Sequence, residues 1–286
     1  MRIGIQAWGS EGDIRPFLAL GHGLVRAGHR VTVVVTDLGA RDYAAYQERL
    51  GLRIRTVATP VVPDPAELDD IGRAILRAGH PARQSRIIIE RLFDPAVPEM
   101  YRAATALCAE TDLVVGHFFQ TPLRAAAEAA GIPEVSVTLT PSMIPTGAMP
   151  PEGVPDLGRR WNRTWWGVAA WVLDRMFLSR INRFRAEAGL PPHTHVLDAW
   201  SSRLLDLVAV SPTLCPVPED WPEQHRVCGF LTLPPDGQLD ASPPALEAFL
   251  DEGDPPAFIT FGSLTPSEEA ERFDALRIFT EAVSRA

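Results

Sequence analysis

The sequence predicts an α/β protein whose core is a doubly wound parallel sheet of the Rossmann-like type. Two observations lead to this fold class. Short, almost wholly apolar runs alternate with helical patterns through most of the 286 residues, which is the order expected of a parallel sheet with helices on both faces. The chain also opens with a strand, a glycine-bearing turn, a helix and a second strand, a unit whose crossover is right-handed in nearly all proteins.

The opening unit shows the pattern most clearly. An apolar strand over 2–7 is followed by a polar turn, and Pro16 stands where the first turn of a helix tolerates a missing N–H. Apolar residues at spacings of three and four predict a helix over 17–27, and Gly28 is a typical helix stop. The valine-rich segment 29–37 completes the unit as a buried strand.

Later elements repeat this order. The patterns predict further strands at 52–58, 112–116, 135–139 and 207–211, and helices at 71–78, 82–93, 96–109, 122–130 and 160–188. A proline-rich loop over 141–155 precedes the longest of these helices. Loops of that length in compact domains are often lids or binding loops.

The C-terminal part of the sequence indicates a change of domain. We expect a first domain over 1–230, a linker rich in proline, glycine and aspartate over 231–255, and a new unit over 256–286. The new unit contains a strand at 256–263 that runs into a glycine-bearing turn and a helix. One strand and one helix cannot bury a core, so the segment is either the start of a truncated second Rossmann-like domain or a piece that packs back on the first.

Composition limits the expected binding partners and the expected cellular location of the protein. The net charge of −9, without any run of lysines or arginines, makes nucleic acid an unexpected partner. The three cysteines have no close spacing, which indicates neither a disulfide framework nor a zinc site and fits a cytoplasmic protein. No secretion signal is expected, because the first strand begins at Arg2.

The longest uncharged apolar segment, 164–173, is about half as long as a membrane span. It belongs to a region that holds Trp161, Trp165, Trp166 and Trp171. The sequence leaves three roles open for these tryptophans: packing in the core, lining an apolar acceptor cleft, and peripheral contact with a membrane surface.

The glycine-bearing turn at the end of the first strand invites comparison with dinucleotide sites, in which Asp37 would contact a ribose. Two details disfavour a nicotinamide- or flavin-dependent oxidoreductase. The turn is not G-x-G-x-x-G, and it carries Glu11 and Asp13 where a pyrophosphate would lie. We therefore expect no bound cofactor.

The turn and the helix after it carry a family resemblance. Residues 9–20, GSEGDIRPFLAL, resemble the opening motif of nucleotide-sugar glycosyltransferases of the GT-B fold, in the group that holds sterol glucosyltransferases and vancomycin-type antibiotic glycosyltransferases. The resemblance continues in short segments: AEAAGIP at 127–133, NRFR at 182–185, DWP at 220–222, GF at 229–230 and FGS at 261–263.

This resemblance implies two Rossmann-like domains that face a cleft, with the acceptor on the N-terminal domain and a UDP- or dTDP-sugar on the C-terminal domain. It also implies that Asp13 deprotonates the acceptor hydroxyl, with inversion at the anomeric carbon and without a metal. A carboxylate at the carboxyl end of a strand suits that role, because it faces the binding crevice. The alternative is that Asp13 only caps the helix.

The resemblance implies roles for further residues. In many relatives a histidine occupies the position of Asp13 and an aspartate the position of His117; here the two types are exchanged, so we hypothesise an Asp–His couple. Alternatively, His117 packs among the neighbouring phenylalanines. The residues expected to contact the acceptor are Ser10, Gly12, Phe118 and Met143. Ser263 is expected to contact the donor phosphate.

The sequence departs from the family after Ser263, where nothing resembles its sugar-nucleotide motif. The donor would therefore be bound by a C-terminal domain that is missing here, and we expect the isolated chain to have little transfer activity. Two functions remain. One is the acceptor part of an inverting, metal-independent hexosyltransferase that acts on an apolar sterol, lipid or natural product. The other is a non-catalytic module that binds such a molecule.

Overall fold

The computed structural model describes residues 1–39, 41–60, 65–234, 243–260 and 269–284. These residues form a seven-stranded sheet, in the order β3-β2-β1-β4-β5-β6-β7, and every neighbouring pair is parallel. The strands are β1 (Arg2–Gly9), β2 (Arg30–Asp37), β3 (Arg53–Thr56), β4 (Leu113–His117), β5 (Glu134–Thr138), β6 (Asp206–Val208) and β7 (His225–Val227). The chain builds one half of the sheet outward from β1 and then returns to β4 to build the other half. The predicted fold class is confirmed.

Helices cover both faces of this sheet. The helices in the described ranges are α1 (Glu11–Arg26), α2 (Ala44–Leu50), α3 (Pro65–Arg77), α4 (Pro81–Ile88), α5 (Val97–Glu110), α6 (Thr121–Ala130), α7 (Arg159–Leu173), α8 (Ser179–Glu187), α9 (Val196–Trp200), α10 (Pro244–Asp251) and α11 (Glu269–Val283). The side chains of α10 are exposed to water along the whole helix. A π-helical turn over Asp174–Leu178 joins α7 to α8, so the long helix predicted at 160–188 is one nearly continuous rod.

Burial follows the predicted pattern in the central strands. Seven of the eight residues of β1 are buried, and so are six of the eight in β2, as expected of strands covered on both faces. The helix α1 packs Phe17 and Leu18 against them, and both side chains are fully buried. This packing fixes the first turn of α1 relative to the carboxyl end of β1.

The start of α1 differs from the prediction. The helix begins at Glu11 rather than near residue 17, so Pro16 lies inside the helix and not in its first turn. The reason is local, because the side chain of Asp13 accepts hydrogen bonds from Ser10 and so begins the helix directly after β1. Pro16 has no N–H for the carbonyl of Gly12, and Gly12 is exposed to water.

The prediction of a strand over 256–263 is wrong for 256–260, the part that lies within the described residues. Residues 255–260 form no strand, and Phe258 is 87% exposed, while 261–263 lie outside the described residues. An apolar run becomes a strand only when another strand accepts its backbone hydrogen bonds, and no described strand pairs with this segment. The helix expected after it is present as α11, and the predicted domain boundaries stay a prediction.

None of the helices in the described ranges combines the length and the hydropathy needed to cross a bilayer. In the same ranges, no group of three or more histidine, cysteine, aspartate or glutamate side chains is arranged to hold a metal ion. Cys108, Cys215 and Cys228 are free thiols.

Candidate functional site at the carboxyl edge of the sheet

The site predicted from the sequence lies where the central strands end. β1 ends at Gly9, and its parallel neighbour β4 ends at His117. The next strand, β5, ends at Thr138 and leads into the segment that carries Met143. Because carboxyl ends of parallel strands meet at one edge, this is where a doubly wound sheet forms its binding crevice.

Asp13 is held at this edge by one of its two carboxylate oxygens. The backbone N–H of Ser10 donates to Oδ2 at 2.8 Å, and the Ser10 hydroxyl donates to the same oxygen at 3.0 Å. No residue in the described ranges donates a hydrogen bond to Oδ1. Asp13 therefore does assist the start of α1, as its third residue rather than as its N-cap, and one oxygen stays open to a ligand.

Burial alters the acidity of this carboxylate. The side chain is half-buried, and desolvation raises the pKa of Asp13 although the two bonds from Ser10 act in the opposite direction. A higher pKa makes the ionised carboxylate a better proton acceptor.

Gly9 is required by this arrangement. Its φ is +132°, a conformation that residues with a Cβ rarely adopt. A Cβ at this position would lie 2.4 Å from Oδ2 of Asp13. The carboxylate thus occupies the space that a side chain on residue 9 would need.

The charge at the helix N-terminus is more balanced than the sequence suggested. Glu11 forms ion pairs with Arg15 at 2.9 Å and with Arg41 at 3.0 Å. Only Asp13 then keeps a carboxylate without a cationic partner in this turn, among the described residues, so repulsion by Glu11 is a weaker argument against a pyrophosphate than the sequence implied.

Asp37 provides a stronger argument against a dinucleotide. Its Oδ1 accepts from the N–H of Gly39 at 2.8 Å, and its Oδ2 accepts from the N–H of Arg41 at 3.0 Å and the hydroxyl of Tyr43 at 2.9 Å. The side chain is 7% exposed. Its hydrogen-bonding capacity is used to shape the loop after β2, which leaves it poorly placed to bind a ribose.

His117 lies beside the helix that carries Asp13. Its ring is buried, and this burial lowers its pKa to about 3, so the imidazole is neutral at pH 7. The N–H of Phe119 approaches Nδ1 at 3.4 Å. The ring centroid lies 6.0 Å from that of Phe17, one turn after Asp13. No hydrogen bond joins the two side chains within the described structure, and the proposed Asp–His couple stays a prediction.

Phe118 and Met143, two of the predicted acceptor residues, are brought together. Both line a cavity of about 260 Å³ at the carboxyl edge. Ser10 is half-buried beside Asp13, and Gly12 is exposed in the same turn. Ser263 lies outside the described residues.

A larger cavity, of about 690 Å³, lies between the π-helical turn Ile89–Phe93, α5 and α8. Five aromatic side chains line it: Phe93, Tyr101, Phe119, Phe184 and Trp200. Its size and lining suit an apolar molecule of drug size. Sequence reasoning assigned none of the five to the site, although Phe119 follows His117 and Phe118 in the chain and Phe184 lies in the NRFR segment of the family resemblance.

The tryptophans singled out from the sequence lie elsewhere. Trp161 and Trp171 are 58% and 56% exposed on α7, whereas Trp166 is buried and donates through Nε1 to the carbonyl of Met149 at 2.9 Å. None of the three lines the larger cavity. Trp166 therefore has the core-packing role, and Trp165 is half-buried, with an Nε1 that is buried and has no hydrogen-bond partner in the described structure.

Hydrogen bonds to Asp220 hold the proline-rich loop in place. Asp220, in the DWP segment, accepts from the Thr146 hydroxyl at 2.6 Å, from the N–H of Gly147 at 2.8 Å and from Arg163 at 3.0 Å. These bonds hold the pKa of Asp220 far below its usual range. The DWP segment thus determines the path of the loop after Met143.

The chain is similar to known glycosyltransferases. Residues 3–136 match the profile of the glycosyltransferase family 28 N-terminal domain. The chain is 32% identical over 286 residues to O-mycaminosyltylonolide 6-deoxyallosyltransferase of Streptomyces fradiae, an alignment that covers 95% of this chain and 63% of that protein. It is 24% identical to sterol 3-beta-glucosyltransferase UGT80B1 of Arabidopsis thaliana, over 96% of this chain and 45% of that protein.

A solved structure shows the same fold. Arabidopsis thaliana UGT89C1, complexed with UDP-L-rhamnose, aligns with a TM-score of 0.54 at 18% identity over 98% of this chain and 62% of that chain. The chain spans less than two thirds of the length of each of these relatives.

Proposed function

We propose that this chain, whose residues 3–136 match the glycosyltransferase family 28 N-terminal domain, is the acceptor-binding part of a nucleotide-sugar glycosyltransferase with Asp13 as its general base. The observation that carries the proposal is the asymmetry of the Asp13 carboxylate. Ser10 fixes Oδ2, and Oδ1 is left without a partner among the described residues. A base that is held in place and still open is what proton transfer from a bound hydroxyl requires.

The reaction follows from that placement. The acceptor hydroxyl oxygen attacks the anomeric carbon of the sugar, its proton passes to Oδ1 of Asp13, and the bond from the anomeric carbon to the nucleoside diphosphate breaks. The diphosphate leaves with the electron pair, and the anomeric configuration inverts. The transferred group is a hexose, and the steps assigned to Asp13 need no metal.

The acceptor is an apolar molecule with a hydroxyl group, such as a sterol, a lipid or a natural product. The aromatic cavity of about 690 Å³ supports this substrate class. The relatives' names also include a sterol and a tylonolide among their substrates. The nucleotide-sugar would be bound by a C-terminal domain that begins at about residue 256, with Ser263 near its phosphates, so the 286-residue chain alone is expected to transfer little sugar.

His117 enters the proposal as a neutral neighbour of the reacting groups. A neutral imidazole can accept or donate a hydrogen bond but carries no charge to share with Asp13. In an active form of the enzyme, His117→Ala with unchanged turnover and pH profile would reduce His117 to a packing residue. Peripheral membrane contact and the cytoplasmic location stay predictions.

The test uses the chain fused to the C-terminal part of the Streptomyces fradiae relative, with phenolic and sterol acceptors and UDP- or dTDP-glucose. We expect Asp13→Asn to lower kcat by about 10²- to 10⁴-fold, the usual contribution of a positioned base, with little change in acceptor KM. The acid limb of the wild-type kcat/KM profile should lie above the ordinary aspartate pKa, because burial raises the pKa of Asp13.

Asp69→Asn is the matched control, since Asp69 is an exposed carboxylate on α3. Full turnover by Asp13→Asn would show that Asp13 only supports the helix. Acceptor binding without transfer by the wild-type fusion would favour the non-catalytic binding module.

A further inference from the structure

We propose that Trp200 limits the length of the acceptor that the site can bind, because its indole forms the wall between the two cavities at the carboxyl edge. Trp200 lines both the cavity of about 690 Å³ and the cavity of about 260 Å³. Phe119 lines only the larger and Phe118 only the smaller. The inference rests on the proposed function in one respect, that the larger cavity is the acceptor site.

Trp200 is held firmly enough to act as a wall. Its ring meets Phe119 edge-on, with centroids 5.1 Å apart and planes at 77°, and meets Phe118 edge-on at 6.0 Å and 84°. Phe177 packs against it at 6.1 Å, and only 7% of Trp200 is exposed. Contacts on several sides keep a large ring in one rotamer.

The helix that carries Trp200 is tied to the wall of the larger cavity. Asp174 accepts the N–H of Val196 at 2.7 Å through Oδ1, and its Oδ2 lies 2.9 Å from Nδ1 of His195. Asp174 begins the π-helical turn that leads into α8, and α8 lines the larger cavity. The position of Trp200 is therefore fixed relative to that cavity and is not set by its five-residue helix alone.

The two sides of the wall differ in chemistry. The lining of the larger cavity is mainly apolar, with five aromatic rings beside the charged side chains of Asp94, Arg102, Arg180, Arg183 and Glu187. The smaller cavity has a larger share of polar lining, which includes Thr138, Ser201, Ser202, Asp206 and His225. An apolar acceptor gains from each group that it buries in the larger cavity and stops gaining when it reaches the indole. The protein would accordingly select compact apolar acceptors over those with a long apolar substituent.

The test measures binding of a series of 4-alkylphenols, from 4-ethylphenol to 4-decylphenol, to the 286-residue chain by calorimetry. Each methylene that is newly buried should tighten Kd by about fourfold. In the wild type the affinity should stop improving beyond a certain length of the alkyl chain. In Trp200→Ala the gain should continue for two or more further methylenes, a difference of at least about 16-fold at the longest phenols.

Two further variants keep the test decisive. Trp200→Phe leaves a smaller ring, and we expect its limit to lie between those of the wild type and Trp200→Ala; it gives the answer if Trp200→Ala does not fold. Phe249→Ala removes an aromatic side chain that is 58% exposed on α10 and lines neither cavity, so its limit should equal that of the wild type.

The outcomes separate this inference from the proposed function. The same limit in the wild type and in the folded Trp200 variants would overturn the role of Trp200 and leave the acceptor site standing. Absence of binding by every phenol to the wild type would overturn both, because the larger cavity would then not be the acceptor site.

Discussion

Gly9 is the residue where the backbone and the proposed base depend on each other most directly. We consider its replacement by alanine. The alanine would have to keep a φ of +132°, and its Cβ would lie 2.4 Å from Oδ2 of Asp13. Both effects can be converted into free energy of unfolding.

The backbone effect costs on the order of 1–3 kcal/mol, the usual strain for a residue with a side chain in a sparsely populated region. The steric effect displaces the Asp13 carboxylate, which breaks its bonds from Ser10. A hydrogen bond to a charged group contributes about 1.5–3 kcal/mol. Gly9→Ala should therefore lower the free energy of unfolding by about 2.5–6 kcal/mol in the wild-type background when the loss of one such bond is counted.

A double-mutant cycle separates the two effects, with unfolding followed in urea by circular dichroism. In the Asp13→Ala background the carboxylate is absent, so Gly9→Ala should cost only the backbone strain, about 1–3 kcal/mol. The coupling energy should be about 1.5 kcal/mol or more. If Gly9→Ala costs the same in both backgrounds, Asp13 does not occupy the space beside residue 9 and the account of this turn is refuted.

Asp220→Asn, with Glu219→Gln as its control, tests the proline-rich loop, and His117→Phe tests the buried histidine. Asp220→Asn should lower the free energy of unfolding by about 1–3 kcal/mol and increase amide exchange at Gly147. Glu219→Gln changes an exposed ion pair and should lower it by less than about 1 kcal/mol. Because the folded pKa of Asp220 is depressed, the stability difference between Asp220→Asn and the wild type should shrink as the pH falls below about 4. The pKa of His117 is lowered to about 3, so the unfolded state binds more protons than the folded state between that value and about 6.5. The wild type should therefore lose about 1.4 kcal/mol of stability between pH 7.5 and 5.5. His117→Phe should remove that loss, and an unchanged pH dependence would contradict the burial of a neutral imidazole.

The strands were the most predictable part of the molecule. The apolar runs at β1, β2, β4 and β5 were located to within about two residues, because a strand buried on both faces leaves a continuous local signal. The same signal failed at 256–260, where the run is apolar but pairs with none of the described strands. Sheet pairing is a property of the whole fold, and a single segment does not contain it.

The candidate site was predictable only where it is local. Ser10 and Asp13 are three positions apart, and their proximity could be inferred from the turn and from the family resemblance. The larger cavity combines Phe93 and Tyr101 with Phe184 and Trp200, which are far apart in the sequence. No local pattern distinguishes these rings from ordinary core residues. The helix start at Glu11 was missed because a side chain–backbone bond determined it, and not hydrophobic periodicity.

The bond between Thr146 and Asp220 joins residues 74 positions apart, and this separation bears on the order in which the protein folds. Contacts that close long stretches of chain form late, since the entropy of the intervening segment must be lost first. The turn around Asp13 closes over three residues and can form as soon as β1 meets α1. Asp13, the proposed base, would thus be in position early, while the loop that carries Met143 reaches its place only after β6 and the DWP segment have arrived.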